Sequence, residues 1–346
     1  MASHSWLVYA LGGGFGHLTR ACALARSALP DVKCRILTIS PYAACVQLAM
    51  PELDFVTLDP AISMDQGRTE VLREITSASP ECLIVDTFPR GLGGELVSVV
   101  SEFSGFKVFV QRDLNPDYVR EYDLNAFVAH TYDLVLAPGD SNPDSLGPFA
   151  QTVTTAPWLM RSVGELLSRD RARQLLRLQD EKACVMVCAA GNPHELAWYG
   201  EVVSQLLESA PELNVRCIAP GRPYACPPDC WLSYWPAMDL YTAADVVIGG
   251  GGYNTIYECI TCGVPLIAKA WPRKYDRQYL RARRATRIVD EPKDAVAAAL
   301  ELCGALRSRE RHIRFENGAS EAIAHIRRRS TASCEKVMHR TSHSDI

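Results

Sequence analysis

The sequence has no apolar run that approaches the length of a membrane-spanning helix. Its first residues, Met1 to Trp6, have neither the basic region nor the long apolar stretch of a signal peptide. The formal net charge of −4 at pH 7 lacks the basic excess of a general nucleic-acid binder. We therefore expect a cytoplasmic protein with weak or no membrane contact and no nucleic-acid partner.

A metal-ligand pattern is also missing, although the chain has 13 cysteines. Cys259 and Cys262 form a Cys-x-x-Cys pair inside a predicted helix, and Cys226 and Cys230 flank Pro-Pro-Asp. A structural zinc site takes about four ligands, and no histidine pair or second clear cysteine pair stands at a matching spacing. The sequence predicts reduced thiols, no metal and no cofactor.

Short apolar runs alternate with helical segments along the chain, which predicts parallel strands joined by crossover helices. The predicted strands are Leu7–Leu11, Cys34–Ile39, Phe55–Leu58, Cys82–Val85, Val108–Gln111 and Leu134–Ala137, followed by Cys184–Ala189, Val215–Ala219, Val246–Ile248 and Leu266–Ala270. An amphipathic segment at Val163–Gln179 separates the two sets.

The length of 346 residues suits two domains of ordinary size. The strand pattern restarts after Trp158, and Ala156-Pro157 breaks regular structure, so the linker is placed near Thr154–Arg161. The predicted organisation is an α/β domain at 1–155, a second at 162–310, a C-terminal helix at 311–330 and a flexible polar tail at 331–346.

The first glycine-rich turn, Gly12 to His17, lies between a predicted strand and a predicted helix. Such a turn leaves backbone N–H groups that can hold an anion. A dinucleotide-binding turn has a third glycine where this chain has His17, and an acidic residue at the end of the second strand, where this chain has none. Both departures count against NAD or FAD.

His17 and Asp86 follow two predicted parallel strands and are expected at the same edge of the sheet. An Asp86 carboxylate could orient His17 and stabilise its charged form, giving a general-base pair. The alternative is structural: His17 bonds to backbone at the helix start, and Asp86 caps the next turn.

The second glycine-rich turn runs from Gly249 to Gly252 and precedes Thr255 and Glu258, three residues apart on one helical face. The helix start and the threonine hydroxyl can hold a diphosphate. The carboxylate would repel phosphate, but it can accept hydrogen bonds from a ribose diol attached to that phosphate.

Together these motifs resemble a known family. The order Gly-Gly…Thr-x-x-Glu…Gly-x-Pro…Asp-Arg-Gln across 249–282 is similar to the nucleotide-sugar site of GT-B glycosyltransferases. It is closest to the bacterial N-acetylglucosaminyltransferase that makes lipid II and to its relatives. The runs Gly-Gly-Phe-Gly-His-x-x-Arg and Val85–Gly91 resemble related predicted bacterial glycosyltransferases. The resemblance implies two Rossmann-like, doubly wound domains facing a cleft, with C-terminal helices packing back toward the N-terminal domain.

The resemblance also implies a role for each matching residue. His17 would be the catalytic general base, with Asp86 as its orienting partner. Donor-binding residues would be Gly251, Gly252, Asn254, Thr255, Glu258, Asp276, Gln278, Trp235 and Met238. The acceptor side would include Gly14, Phe15, Gly16, Arg112 and Asp113.

The function expected from the resemblance is inverting, metal-independent transfer from a UDP-sugar, with UDP-N-acetylglucosamine as one candidate donor. The acceptor would carry a hydroxyl or amine. The N-terminal domain lacks an obvious exposed apolar stretch for a lipid-linked acceptor, which favours a small soluble molecule. Two alternatives remain: a nucleotide-sugar 2-epimerase, and a non-catalytic subunit that binds a nucleotide sugar.

Overall fold

The computed structural model describes residues 4–139, 146, 147, 149–179, 182–305, 313 and 315–341. It divides the chain into two compact units. Unit 1 comprises Met1–Leu159 and Asn317–Ile346, and unit 2 comprises Met160–Glu316. Unit 2 is therefore inserted between two parts of unit 1. The sequence-based boundary at 310/311 lies outside the described residues.

Unit 1 is a seven-stranded parallel sheet with helices in the crossovers. Its strands are β1 His4–Tyr9, β2 Val32–Thr38, β3 Asp54–Thr57, β4 Cys82–Asp86, β5 Phe106–Val110, β6 Leu134–Pro138 and β7 Thr152–Thr155. Its helices are α1 Phe15–Ala28, α2 Ala43–Ala49, α3 Met64–Ala78, α4 Leu96–Glu102, α5 Pro116–Glu121 and α6 Leu124–Thr131. The strand order is β3-β2-β1-β4-β5-β6-β7.

Unit 2 is a six-stranded parallel sheet. Its helices are α7 Arg169–Leu175, α8 Pro193–Ser209, α9 Tyr253–Thr261, α10 Gln278–Ala282 and α11 Pro292–Ala305. Its strands are β8 Cys184–Cys188, β9 Asn214–Ile218, β10 Trp231–Leu232, β11 Val246–Gly250, β12 Leu266–Lys269 and β13 Arg287–Ile288, in the order β10-β9-β8-β11-β12-β13.

The central strands of both sheets are buried on both faces, which explains their nearly continuous apolar runs. All five residues of β4 and all of β6 are buried, and β8 is buried over its first four residues. The sequence therefore predicts these strands well. It misses β7, β10 and β13, which lie at sheet edges and have two to four residues each.

The C-terminal helix α12, Gly318–Thr341, returns to unit 1 and packs beside α1, β6 and β7. The Asn317 side chain precedes it and bonds the backbone of Leu159 twice, donating to O at 2.6 Å and accepting from N at 3.2 Å. The expected packing of the C-terminal region on the N-terminal domain is thus present.

The helices observed refine one sequence-based segment and extend another. The amphipathic segment Val163–Gln179 contains a single 3₁₀ turn followed by α7, because Ser162 and Ser168 each start a separate capped segment. The helix α12 continues to Thr341, past the expected start of a tail at 331. The chain has neither glycine nor proline between 319 and 341 to end it.

Candidate active site

In unit 1 the strand order reverses between β1 and β4, which pair directly along Trp6–Tyr9. Open α/β sheets bind ligands at the carboxyl edge beside such a reversal. The turn after β1 leads into α1, whose N-cap is Gly14. A glycine has no side chain that could cap the helix, so the first N–H groups need a partner from elsewhere.

His17 lies in the first turn of α1, and Asp86 is the last residue of β4. The structure brings the two into contact: His17 Nδ1 is 2.6 Å from Asp86 Oδ2. The imidazole keeps 20% of its side-chain surface exposed, whereas the carboxylate keeps 3%. A Cβ at Gly12 would lie 2.7 Å from His17 Nε2, so the ring rests directly on that glycine. The geometry suits a buried carboxylate that orients a partly exposed base.

Arg20, the arginine of the Gly-Gly-Phe-Gly-His-x-x-Arg run, is a third member of this cluster, although the sequence analysis assigns it no role. Its Nε donates to Asp86 Oδ1 at 3.0 Å, and its Nη2 donates to Asp86 Oδ2 at 2.7 Å. Burial disfavours the charge of Asp86, but Arg20 and His17 outweigh it, so the pKa of Asp86 lies well below its ordinary value. The i, i+3 spacing of His17 and Arg20 on one helix was the available signal.

Thr87 completes the cluster with a backbone conformation that threonine rarely adopts, at φ 71°. Its Oγ1 accepts from Arg20 Nη2 at 3.2 Å and donates to Asp86 Oδ2 at 3.1 Å. A β-branched residue in the left-handed region is strained, and such strain is concentrated at functional sites.

The residues expected on the acceptor side differ in how much of their surface is exposed. Gly14 is exposed, and Phe15 and Gly16 are half-buried. The Phe15 ring stacks on Tyr42 at a centroid distance of 4.1 Å. Arg112 and Asp113 follow β5 at the same sheet edge, but only 7% and 6% of their surface is exposed. Their contact with an acceptor stays a prediction.

In unit 2 the strand order reverses between β8 and β11, where Cys188 pairs with Gly249. The second glycine-rich turn follows β11, and Gly252 is the N-cap of α9. A Cβ at Gly249 would lie 2.9 Å from Thr255 Cγ2. Within the described part of the chain, the buried Oδ1 of Asn254 has no hydrogen-bond partner. The residues expected to hold a diphosphate therefore lie together around one helix start.

Glu258 lies one turn further along α9 and is 7% exposed. Burial raises its pKa to about 7, although a hydrogen bond with Tyr241 acts in the opposite direction. At neutral pH the carboxyl group is close to its midpoint. It can donate as well as accept hydrogen bonds when protonated, which suits a diol partner.

The loop after β12 carries the two residues expected to bind the donor sugar. Asp276 forms an ion pair with Arg281 of α10. The Oε1 of Gln278 accepts from the backbone N of Trp271 at 3.2 Å. Both side chains are half-buried, and each already has a partner within unit 2.

Arg273 in the same loop forms an ion pair with a buried carboxylate of another element. Its guanidinium binds both carboxylate oxygens of Glu195, with Nη2 donating to Oε2 at 2.7 Å. Glu195 is 2% exposed and lies in the first turn of α8, beyond the N-cap Asn192. Sequence analysis missed Glu195 because its partner lies 78 residues away. The pair ties the loop to the helix that follows β8.

The segment expected to hold the nucleotide base contains Trp235 and Met238. Met238 lies in a short 3₁₀ helix, Ala237–Leu240, and its side chain has no exposed surface. Asp239, next to it, binds Arg161 through both oxygens at 2.8 and 2.9 Å. The contact of Trp235 and Met238 with a donor stays a prediction.

Three wider features of the described residues bear on the predicted class of protein. No group of three or more His, Cys, Asp or Glu side chains is arranged to hold a metal ion within the described ranges. None of the helices in the described ranges is long and apolar enough to cross a membrane. The 12 cysteines whose side chains are described are free thiols.

Comparison with known proteins identifies the fold. No protein-family model and no curated protein matches the chain. Among solved structures, the glycotransferase of kitacinnamycin is 14% identical, with a TM-score of 0.57 over 98% of this chain and 99% of that one. Acinetobacter baumannii MurG is also 14% identical, with a TM-score of 0.56 over 94% and 99%. A UDP-N-acetylglucosamine 2-epimerase described as putative, from Listeria monocytogenes, is 11% identical, with a TM-score of 0.62 over 94% and 95%.

These similarities confirm the predicted fold: two Rossmann-like parallel-sheet domains of the GT-B type. At 11–14% identity they extend to the fold alone, since unrelated chemistries share one fold.

Proposed function

We propose that the protein is a glycosyltransferase that moves a sugar from a nucleoside diphosphate donor to a hydroxyl or amine acceptor. The observation that carries the proposal is the 2.6 Å contact between His17 Nδ1 and the buried Asp86 carboxylate. It leaves Nε2 as the nitrogen that can accept a proton. Such a base can assist attack by a hydroxyl or amine, and unit 2 separately has the candidate donor-binding residues.

In the proposed reaction His17 takes the proton of the acceptor group as that group attacks the anomeric carbon. One displacement from the face opposite the diphosphate inverts the configuration at this carbon. General-base assistance of this kind contributes roughly 10²–10⁴-fold. Asp86 orients the ring and stabilises the imidazolium that forms, without taking the proton itself.

The departing diphosphate gains negative charge, and the start of α9 is suited to stabilise it. The positive helix end and the N–H groups around Gly252 and Thr255 face the anion without needing a metal ion. Glu258 would bind the ribose, and Asp276 and Gln278 would bind the sugar hydroxyls. We propose a uridine nucleotide as donor, with UDP-N-acetylglucosamine as one candidate, and a small soluble acceptor.

The first experiment is calorimetric titration of the full chain with UDP-, GDP- and dTDP-sugars. We expect micromolar binding of one nucleotide class, weakened in Glu258→Ala and Glu258→Gln. The matched control is Glu301→Ala, which removes an exposed carboxylate of α11 in the same unit. Absence of binding to every nucleotide sugar would overturn the proposal, and unchanged affinity in both Glu258 variants would remove the ribose assignment.

A nucleotide-sugar 2-epimerase is the second candidate, because two of the similar structures are described as UDP-GlcNAc 2-epimerases, with TM-scores of 0.62 and 0.58. Epimerisation needs no acceptor. The bound nucleotide sugar is therefore incubated alone and with a panel of alcohols and amines, and the sugar products are separated. Conversion of donor alone to its C2 epimer favours the epimerase, acceptor-dependent release of the nucleotide favours the transferase, and binding without either reaction favours a non-catalytic subunit.

A further inference from the structure

Arg20 is a buried cation that contacts Asp86, Thr87 and His17 around the candidate base. Its side chain is 5% exposed, and a guanidinium this deeply buried is costly unless it is paired. Here it binds both oxygens of Asp86 in the planar fork that suits a carboxylate. His17 Nδ1 contacts the same Oδ2 as Arg20 Nη2, and these two nitrogens lie 3.5 Å apart.

The hydrogen bonds at Asp86 specify which nitrogen of His17 carries a proton. Asp86 Oδ2 accepts from Arg20 Nη2 and from Thr87 Oγ1, and it lies 2.6 Å from His17 Nδ1. An ionised carboxylate only accepts hydrogen bonds, so Nδ1 must be the protonated nitrogen when the imidazole is neutral. The nitrogen without a proton is then Nε2, which is the one a general base requires.

We infer that Arg20 is a positioning residue: it holds Asp86 as an ionised acceptor and thereby keeps neutral His17 in the tautomer with a basic Nε2. The consequence for turnover rests on the proposed function. The tautomer itself is a property of the protein without substrate, so it can be tested whether or not the protein transfers sugars.

The balance of charge explains why a cation is needed here. The positive charge of Arg20 and the negative charge of Asp86 cancel, so the neutral imidazole lies beside an ion pair with no net charge. Other charged groups at this edge of unit 1 are Arg112 and Asp113, which follow β5. Among the residues that the structure describes, the buried carboxylate would keep His17 and Thr87 as side-chain partners without Arg20. It would then either draw a second proton onto His17 or become protonated and donate to Nδ1, and each result removes the basic tautomer.

The test is NMR of the full chain carrying ¹⁵N-labelled histidine, at pH 7.5 and without ligand. The His17 signals are assigned by their loss in His17→Ala. In the wild type we expect a protonated Nδ1 and an unprotonated Nε2. In Arg20→Met we expect an imidazolium or the opposite tautomer. Arg20→Lys, which keeps the charge but not the fork, should retain more of the wild-type signal.

The matched control is Arg26→Met, which removes an arginine from the last turn of the same helix. It should leave the His17 signals unchanged. Wild-type His17 signals in Arg20→Met would overturn the inference. If Arg20→Met does not fold, Arg20→Gln, which removes the charge but keeps a hydrogen-bond donor, decides by the same spectra: wild-type His17 signals in Arg20→Gln would overturn the inference.

Once an acceptor is known, kcat separates positioning from a purely structural role. We expect Arg20→Met to lower kcat about 10²-fold with the donor KM unchanged, because a misplaced base impairs the chemical step. A fall in donor affinity with kcat unchanged would contradict positioning. If the wild type transfers no sugar to any acceptor, the proposed function fails while the NMR result on Arg20 stands.

Discussion

The His17 ring is held at Nδ1 and against Gly12, so its remaining nitrogen is the chemically available one. In His17→Ala we expect turnover to fall by about 10²–10⁴-fold while donor binding stays at the wild-type level. Turnover is measured at saturating donor, and donor affinity by calorimetry. His130→Ala, an exposed histidine of α6 in the same unit, is the control. Full turnover in His17→Ala would exclude His17 as the base.

A substitution at Gly12 tests whether kcat depends on the position of the His17 ring and not only on its presence. A Cβ at Gly12 would overlap the His17 ring, whereas a Cβ at the neighbouring Gly13 meets no atom within 4 Å. We therefore expect Gly12→Ala to displace the imidazole and to lower kcat by about 10²-fold. Gly13→Ala should keep the wild-type rate. Equal rates in the two variants would mean that the ring adjusts without loss.

Glu258 should make stability depend on pH. Its pKa is about 7 in the folded protein against an ordinary 4.5, so the folded state holds a proton that the unfolded chain releases. The free energy of unfolding therefore falls as pH rises from about 4.5 to about 7, and the loss is complete above that range. At about 1.4 kcal/mol per pKa unit, this loss in the free energy of unfolding is up to about 3 kcal/mol.

Glu258→Gln should remove this contribution, because an amide does not titrate. Denaturant unfolding is compared at pH 5 and pH 8 for the wild type, Glu258→Gln and the exposed control Glu301→Gln. We expect Glu258→Gln to gain stability relative to the wild type at pH 8 but not at pH 5. The same difference between the two proteins at both pH values would show that Glu258 ionises normally.

At the scale of elements, the start of α9 packs directly against α10. A Cβ at Gly251 would lie 3.1 Å from Ala282 Cβ and 3.2 Å from the backbone O of Gln278. We expect Gly251→Ala to push the two helices apart and to weaken nucleotide binding about tenfold. Gly221→Ala, where a Cβ meets no atom within 4 Å, is the control in the same unit. Calorimetry measures both, and unchanged affinity in Gly251→Ala would mean that the turn is not the diphosphate site.

The elements also show what sequence patterns can and cannot reveal. His17 and Asp86 could be paired in advance because each follows a buried strand, and adjacent parallel strands end at one edge. The pair of Arg273 and Glu195 could not be predicted, because it depends on how a loop folds onto a distant helix. The edge strands β10 and β13, with two residues each, are too short to show any periodicity.

At the scale of the whole molecule, Asn317 joins the two parts of unit 1. It bonds both backbone groups of Leu159, and its Oδ1 also accepts from Ala319 N at 3.1 Å. In Asn317→Ala we expect unit 1 to lose roughly 1–3 kcal/mol, because buried backbone groups lose their partner. Ser320→Ala, exposed on the same helix, is the control. Thermal unfolding measures the total loss of stability, and hydrogen exchange shows which unit has lost it. An equal loss of stability in unit 2 would contradict the role of Asn317 in unit 1.

The insertion of unit 2 into unit 1 has a consequence for synthesis on the ribosome. Residues 160–316 are complete before α12 is made, so unit 2 can fold while unit 1 still lacks the helix that packs beside α1, β6 and β7. Until α12 is made, the apolar surface that it covers on nascent unit 1 stays exposed, and chaperones bind exposed apolar surface of this kind. A helix made after unit 2 thus completes the unit whose first strand is β1.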